Sequence, residues 1–300
     1  MAGSALQNLS LFGLSTHPHR TFELVFMLFP CLFALAAAPM AAIVHQQIFQ
    51  SAVGLAGFFI AFLAGLGAFL WAGRAHALAE AHSMAAEDAA RYTRLWEQQL
   101  LPAVGFCEAL RALEGAWREV QGGALRLPKR QLGAPSLHAL LAQADELNDL
   151  LQAKLYDVCV AHGGEHHACG VKAEARALQK VFRSYKGDWR RLGDLCRTSL
   201  VFDAIAPLEA CLRAIGADAE LEVVKVLDEK MRLRKSFDAA ALSGGYRDIQ
   251  LCVRLNSAEA RARGVHEHLA EVQLHFAPII ALKSGGGHKN YVLRRNLSGQ

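Results

Sequence analysis

Two long apolar runs open the chain. Neither Leu24–Val44 nor Ala52–Ala72 contains a charged residue. Each run meets the length of about 20 residues that a helix needs to cross a bilayer. The pattern therefore predicts a two-helix membrane anchor over residues 1–74, with spans near 24–44 and 52–72. Pro30 and Pro39 fall in the first span, where kinks are tolerated. The connector His45–Gln50 has no Lys or Arg, whereas Arg20 and Arg74 flank the outer ends. That bias places both termini, and the C-terminal domain, on the cytosolic side of a lipid bilayer. Gly54, Gly57, Gly65 and Gly67 would let the two helices approach closely.

Beyond Arg74 the apolar spacing becomes amphipathic and helical, and residues 75–170 read as a helical stalk. Met84, Tyr92, Leu95 and Trp96 form one stripe, and Phe106, Leu110, Leu113 and Trp117 form another. Gly122-Gly123 and Leu127–Ser136 interrupt the pattern. A third helix follows, with Leu137, Leu140, Leu141, Ala144, Leu147, Leu151, Leu155 and Val158 at helical spacing. Such stripes pack on a neighbouring domain or pair chains into a homo-oligomer. The segment Ala161–Gly170 reads as a glycine-rich loop between helices. Cys159, His162, His166, His167 and Cys169 around it also admit a zinc reading, although their spacing fits no standard finger.

From Val171 to the end, residues 171–300, helical and alternating patterns interleave. Val171, Leu178, Val181, Phe182 and Tyr185 mark a helix, and Ile205–Ile215 marks another. Thr198–Phe202, Leu221–Leu227, Ile249–Leu255 and Ala270–Phe276 read as strands. The fold class is α/β, a small mixed sheet with flanking helices. In Ser243–Leu255, SGGYRDIQLCVRL, the paired glycines permit a turn with positive φ before the strand.

Composition narrows the function. Of 300 residues 53% are hydrophobic, and the formal net charge of +4 is too small to call for nucleic acid. The seven cysteines lie scattered, mostly in apolar segments, as expected of reduced thiols.

Three features carry chemistry. In Ala270–Phe276, alternation places Glu271, Gln273 and His275 on one face. Asp194 stands before the first buried strand, so two carboxylates at neighbouring strand ends could hold Mg²⁺ against substrate phosphates. Lys230, Arg232, Arg234 and Lys235 put four cations into six residues. The order of GDLCRTSLVF, a basic stretch, GGYRDIQL, EVQLHF and GHKNY resembles the synthetase domain of the RelA/SpoT family over roughly residues 171–298.

The resemblance implies a nucleotidyltransferase-like fold and a (p)ppGpp synthetase that moves pyrophosphate from ATP to the 3′-hydroxyl of GDP or GTP. Asp194 and Glu271 would be catalytic and hold Mg²⁺, with Glu271 also drawing the proton from the acceptor. Lys230, Arg232, Arg234 and Lys235 would hold ATP phosphates and Tyr246 would stack on guanine. Arg247, Gln273, His275 and His288 complete the expected nucleotide-binding set. Several family positions differ. Gln250 stands for a histidine, Ala241–Gly244 for Pro-Lys-x-Asn, and His275 for an arginine. Ser199 stands for the first-strand arginine, with Arg197 read as lying on a different face. The alternative expectation is a catalytically inactive nucleotide-binding or scaffold module on the same anchor.

Overall fold

The computed structural model describes residues 48–282 except Lys129 and Lys225. The expected span 24–44 and His288 lie outside the described residues. Helix α1, Ile48–Arg94, runs for 47 residues, and the second expected span falls inside it. The helix continues past Arg74 without a break. It is long and apolar enough to cross a membrane, with a window of mean hydropathy 1.6 that is not buried within the protein. Phe58, Ile60, Phe69 and Trp71 are all exposed.

Described residues up to Ala85 form one unit, and those from Ala86 onward form another. The second unit holds a five-stranded sheet in the order β1-β2-β5-β4-β3. Its strands are β1 (Glu165–Ala168), β2 (Arg197–Phe202), β3 (Leu221–Val223), β4 (Ile249–Leu255) and β5 (Ala270–Phe276). β2 and β5 are parallel, and the other neighbouring pairs are antiparallel. The expected mixed sheet is thus present, and β4 and β5 have the bounds their alternation predicted.

Two strands differ from expectation. The segment read as a glycine-rich loop contains β1, which pairs along the edge of β2 from Glu165↔Val201 to Ala168↔Thr198. Its polar sequence, EHHA, suits an edge where only one side is paired. β3 ends at Val223, short of the expected Leu227, and the next residue, Val224, bridges Leu125 in parallel while its N donates to Cys252 O of β4 at 2.7 Å.

The helices read as a stalk pack on this sheet. Helices α2 (Phe106–Gly123) and α3 (Leu137–Ala161) share one core with α5 (Ile205–Ala217) and the strands. Leu113, Leu140, Leu147, Leu151 and Leu155 have no exposed surface. Ser136 caps α3, its hydroxyl accepting from Ala139 N at 3.1 Å, which satisfies one orphan donor. The Thr198 hydroxyl lies 2.8 Å from Gln152 Oε1 of α3. Thr198, Leu200 and Phe202 therefore face the helices, as do their partners Val272, Leu274 and Phe276 on β5. The opposite face of β2 and β5 carries the polar residues.

Helix α4, Glu174–Tyr185, is rotated relative to its expected stripe. Ala177 and Val181 are buried, whereas Leu178 is partly exposed and Phe182 is 72% exposed. The cause lies at the next inward position, Lys180, whose ammonium is drawn toward Asp194.

His268, just before β5, is 1% exposed, and neither ring nitrogen has a hydrogen-bond partner. Burial pushes its pKa from 6.5 down to about 4, so the folded protein keeps the imidazole neutral. Between those values the unfolded chain binds a proton that the folded one refuses. Stability should be fully present above about pH 6.5 and fall toward pH 4, by up to roughly 3 kcal/mol. Urea unfolding of the full chain in detergent at pH 7, 5.5 and 4.5 checks this. His268→Leu should flatten the profile in that window, and an unchanged slope would contradict the assignment.

Candidate functional site

The parallel pairing of β2 with β5 sets the site. Arg197 is opposite Glu271, Ser199 opposite Gln273 and Val201 opposite His275. Residues two apart on a strand share a face, so Arg197 and Ser199 lie on the same side. The expectation that Arg197 sits on a different face is corrected by this register. Gln250 of β4 pairs with Gln273 and extends the polar face by one strand.

Asp194 enters from the loop before β2 and is 8% exposed. Its Oδ2 accepts from Lys180 Nζ at 2.7 Å and also from Lys172 Nζ, while Oδ1 is buried without a hydrogen bond. Burial by itself would raise the Asp194 pKa, but the two ammonium groups outweigh it and hold the carboxyl at about 2. Burial also pulls on both lysines. It prevails at Lys172, whose pKa is lowered, whereas Asp194 prevails at Lys180, whose pKa is raised. Lys180 also feels the negative charge of Glu271. Glu271 N donates to Cys196 O at 3.0 Å, two residues beyond Asp194. The structure thus gathers the two expected carboxylates with two lysines that sequence reasoning missed. The signal for Lys180 was a cation on the inward face of an amphipathic helix, between Ala177 and Val181, whereas Lys172 precedes that helix.

On β5, Gln273 Nε2 donates to Glu271 Oε1 at 2.6 Å. His275 is 1% exposed, and its Nδ1 lies 2.8 Å from the Tyr246 hydroxyl. Tyr246 follows the expected glycine turn, with φ of 62° at Gly244 and 87° at Gly245. Helix α6, Ala239–Ser243, delivers this turn, and the Ser243 hydroxyl lies 2.5 Å from Tyr246 O. The Tyr246 ring is half-buried, 5.8 Å from the Tyr92 ring in an edge contact. Burial drives its pKa well above the ordinary tyrosine value, so its hydroxyl stays protonated.

The basic stretch takes several roles. Arg232 pairs with Asp248 at 2.6 Å and stands 6.0 Å from the Tyr246 ring centre. Lys230 ends a short 3-10 turn, and Lys235 is exposed. Arg234 supplies its carbonyl, with that of Arg232, to Arg247 Nη1, while Phe237 O accepts from Nη2 at 2.9 Å. The Arg247 guanidinium lies 4.1 Å from the Trp96 ring centre. Arg247 is 7% exposed, and burial lowers its pKa to about 10, so it remains charged. Its donors are directed into the protein backbone.

Around β1 the candidate zinc ligands have separate partners. His162 Nδ1 lies 2.8 Å from Val158 O, His166 Nε2 lies 2.8 Å from the Thr198 hydroxyl, and His167 pairs with Glu165. Cys159 is buried, and the Cys169 thiol points at His167 O. Among the described residues no three His, Cys, Asp or Glu side chains are arranged to hold a metal. An open cavity of about 570 Å³ is lined by Pro128, Arg130, Gln131 and Arg190, among others, and Gln131 Nε2 donates to Leu192 O and Leu269 O at 2.8 and 2.9 Å.

The structure is similar to that of small alarmone synthetases. Small alarmone synthetase 1 from Bacillus subtilis aligns with 54% of this chain and 90% of its own, at 16% identity and a TM-score of 0.36. Its structure bound to its product pppGpp aligns over 54% and 89%, at 15% identity and a TM-score of 0.38. A chain from the complex of the type VI effector Tas1 with its immunity protein matches at 20% identity and a TM-score of 0.34. That alignment covers 50% of this chain and 66% of that one. No family model matches the chain, and no curated protein matches it.

Asp194→Asn should leave Lys172 and Lys180 without a buried counter-charge and cost about 3–5 kcal/mol. Glu271→Gln, whose partner is a neutral amide, should cost less than about 1 kcal/mol. Urea midpoints of the two variants measure the difference. Equal losses would contradict the lysine pairing.

Proposed function

We propose that the chain is a nucleotide pyrophosphokinase of the RelA/SpoT kind. The carrying observation is the arrival of Asp194 and Glu271 at the same end of two parallel strands, with Lys172 and Lys180 at the same point. The order of motifs in the sequence supports the same reading.

The donor set suits a hard divalent cation. Asp194 has a buried oxygen with no hydrogen bond, and Glu271 is a second carboxylate within charge reach of Lys180. These two residues would hold Mg²⁺, which when bound would neutralise phosphate charge. Lys172 and Lys180, with Arg197 and Lys235 nearer solvent, would hold the ATP triphosphate. Tyr246 would carry the guanine of GDP or GTP, with its hydroxyl fixed by His275. Glu271 would take the proton of the acceptor 3′-hydroxyl as that oxygen attacks the β-phosphorus of ATP. The bond from the β-phosphorus to the bridging oxygen breaks, and AMP leaves. Arg247 would serve the site indirectly by fixing the basic loop. The apolar α1 would tether the protein to a membrane.

A second reading has its own observation. Asp194 is already neutralised by two lysines, as a binding module without catalysis would permit. Purified full chain in detergent should convert labelled ATP and GDP or GTP, with Mg²⁺, into a more highly phosphorylated guanosine nucleotide. Glu271→Gln should lower the rate at least 100-fold. Nucleotide binding without product in the wild type would favour the binding module. Neither binding nor product would overturn both readings.

A further inference from the structure

The last turns of α1 lie against the turn that presents Tyr246. The Gly245 backbone is so close that an added Cβ would stand 2.7 Å from Tyr92 Cβ and 3.0 Å from Ala89 O. A contact of that closeness fixes the turn to the helix surface. Beside Gly245, the Tyr92 and Tyr246 rings meet in an edge contact at 74°. At the next residue, the Trp96 indole stacks on the Arg247 guanidinium. Tyr92 and Trp96 are four residues apart and therefore share a helix face. They are 7% and 4% exposed, so both are held by the core. The helix passes into a π-helical stretch, Leu95–Leu100, next to this contact. Such stretches are rare and often occur at functional sites.

The Gly245 backbone pressed on α1, the hydroxyl at His275 and the edge contact with the Tyr92 ring thus all restrain Tyr246. We propose that Tyr92 is a positioning residue for the acceptor nucleotide, setting the plane of the Tyr246 ring on which the guanine stacks. This inference rests on the pyrophosphokinase reading and goes beyond the motifs that suggested it, because Tyr92 precedes all of them in the chain. Edge-to-face aromatic pairs contribute beyond simple burial. Loss of the Tyr92 ring therefore weakens acceptor binding selectively, without altering the carboxylates and lysines that serve ATP.

The test uses full chain in detergent, with fluorescent GDP and ATP analogues and the labelled-product assay. Tyr92→Leu should raise the KM for GDP about five- to tenfold, with kcat and the KM for ATP within twofold. Tyr92→Phe, which keeps the ring, should behave as wild type. Tyr92→Met, a flexible filler of the same slot, serves if melting shows the leucine variant unfolded. Unchanged GDP kinetics, or equal losses for GDP and ATP, would overturn this inference alone. A wild type that neither binds nor extends GDP or GTP would overturn the proposed function and this inference with it.

Discussion

The site depends on the parallel pairing of β2 with β5. Antiparallel neighbours would bring the start of one strand to the end of the other. Parallel neighbours bring both starts to one edge, so Asp194, just before β2, arrives beside Glu271 near the start of β5. The helices α3 and α5 pack against the apolar face, leaving Arg197, Ser199, Glu271, Gln273 and His275 on the other. On that face Arg197, Ser199, Glu271 and Gln273 keep some exposure, whereas His275 is buried beneath Tyr246.

Charge alone would not keep such a face in order. Asp194 stays ionised because two ammonium groups oppose the burial that would neutralise it. The Arg247 guanidinium ties three backbone carbonyls and an indole into one cluster. Those contacts join the basic loop, the glycine turn and the end of α1. Arginine suits this task because its planar donors are fixed in direction and its flat face stacks on aromatics.

Much of this arrangement was legible in the sequence. β4 and β5 follow from strict alternation, and Gly244-Gly245 from the need for positive φ before a strand. The role of Arg247 was not legible, since a surface ligand and a buried clamp have the same local spelling. Lys180 was missed because Phe182 and Leu178 are more apolar than Ala177 and suggested the wrong helix face. β1 escaped notice because an edge strand of three polar residues and one alanine has no apolar alternation. The stalk could not be separated from the sheet domain by composition, because a stripe that packs on a sheet looks like one that pairs helices.

In the proposed reaction the polar face of β2 and β5 holds both nucleotides. The most direct measurement is an experimental structure of the full chain with a non-hydrolysable ATP analogue, Mg²⁺ and GDP. The account predicts the triphosphate beside Lys172 and Lys180 and the guanine against Tyr246. Nucleotide bound instead in the cavity lined by Arg130 and Arg190, with the β5 face unchanged, would contradict it.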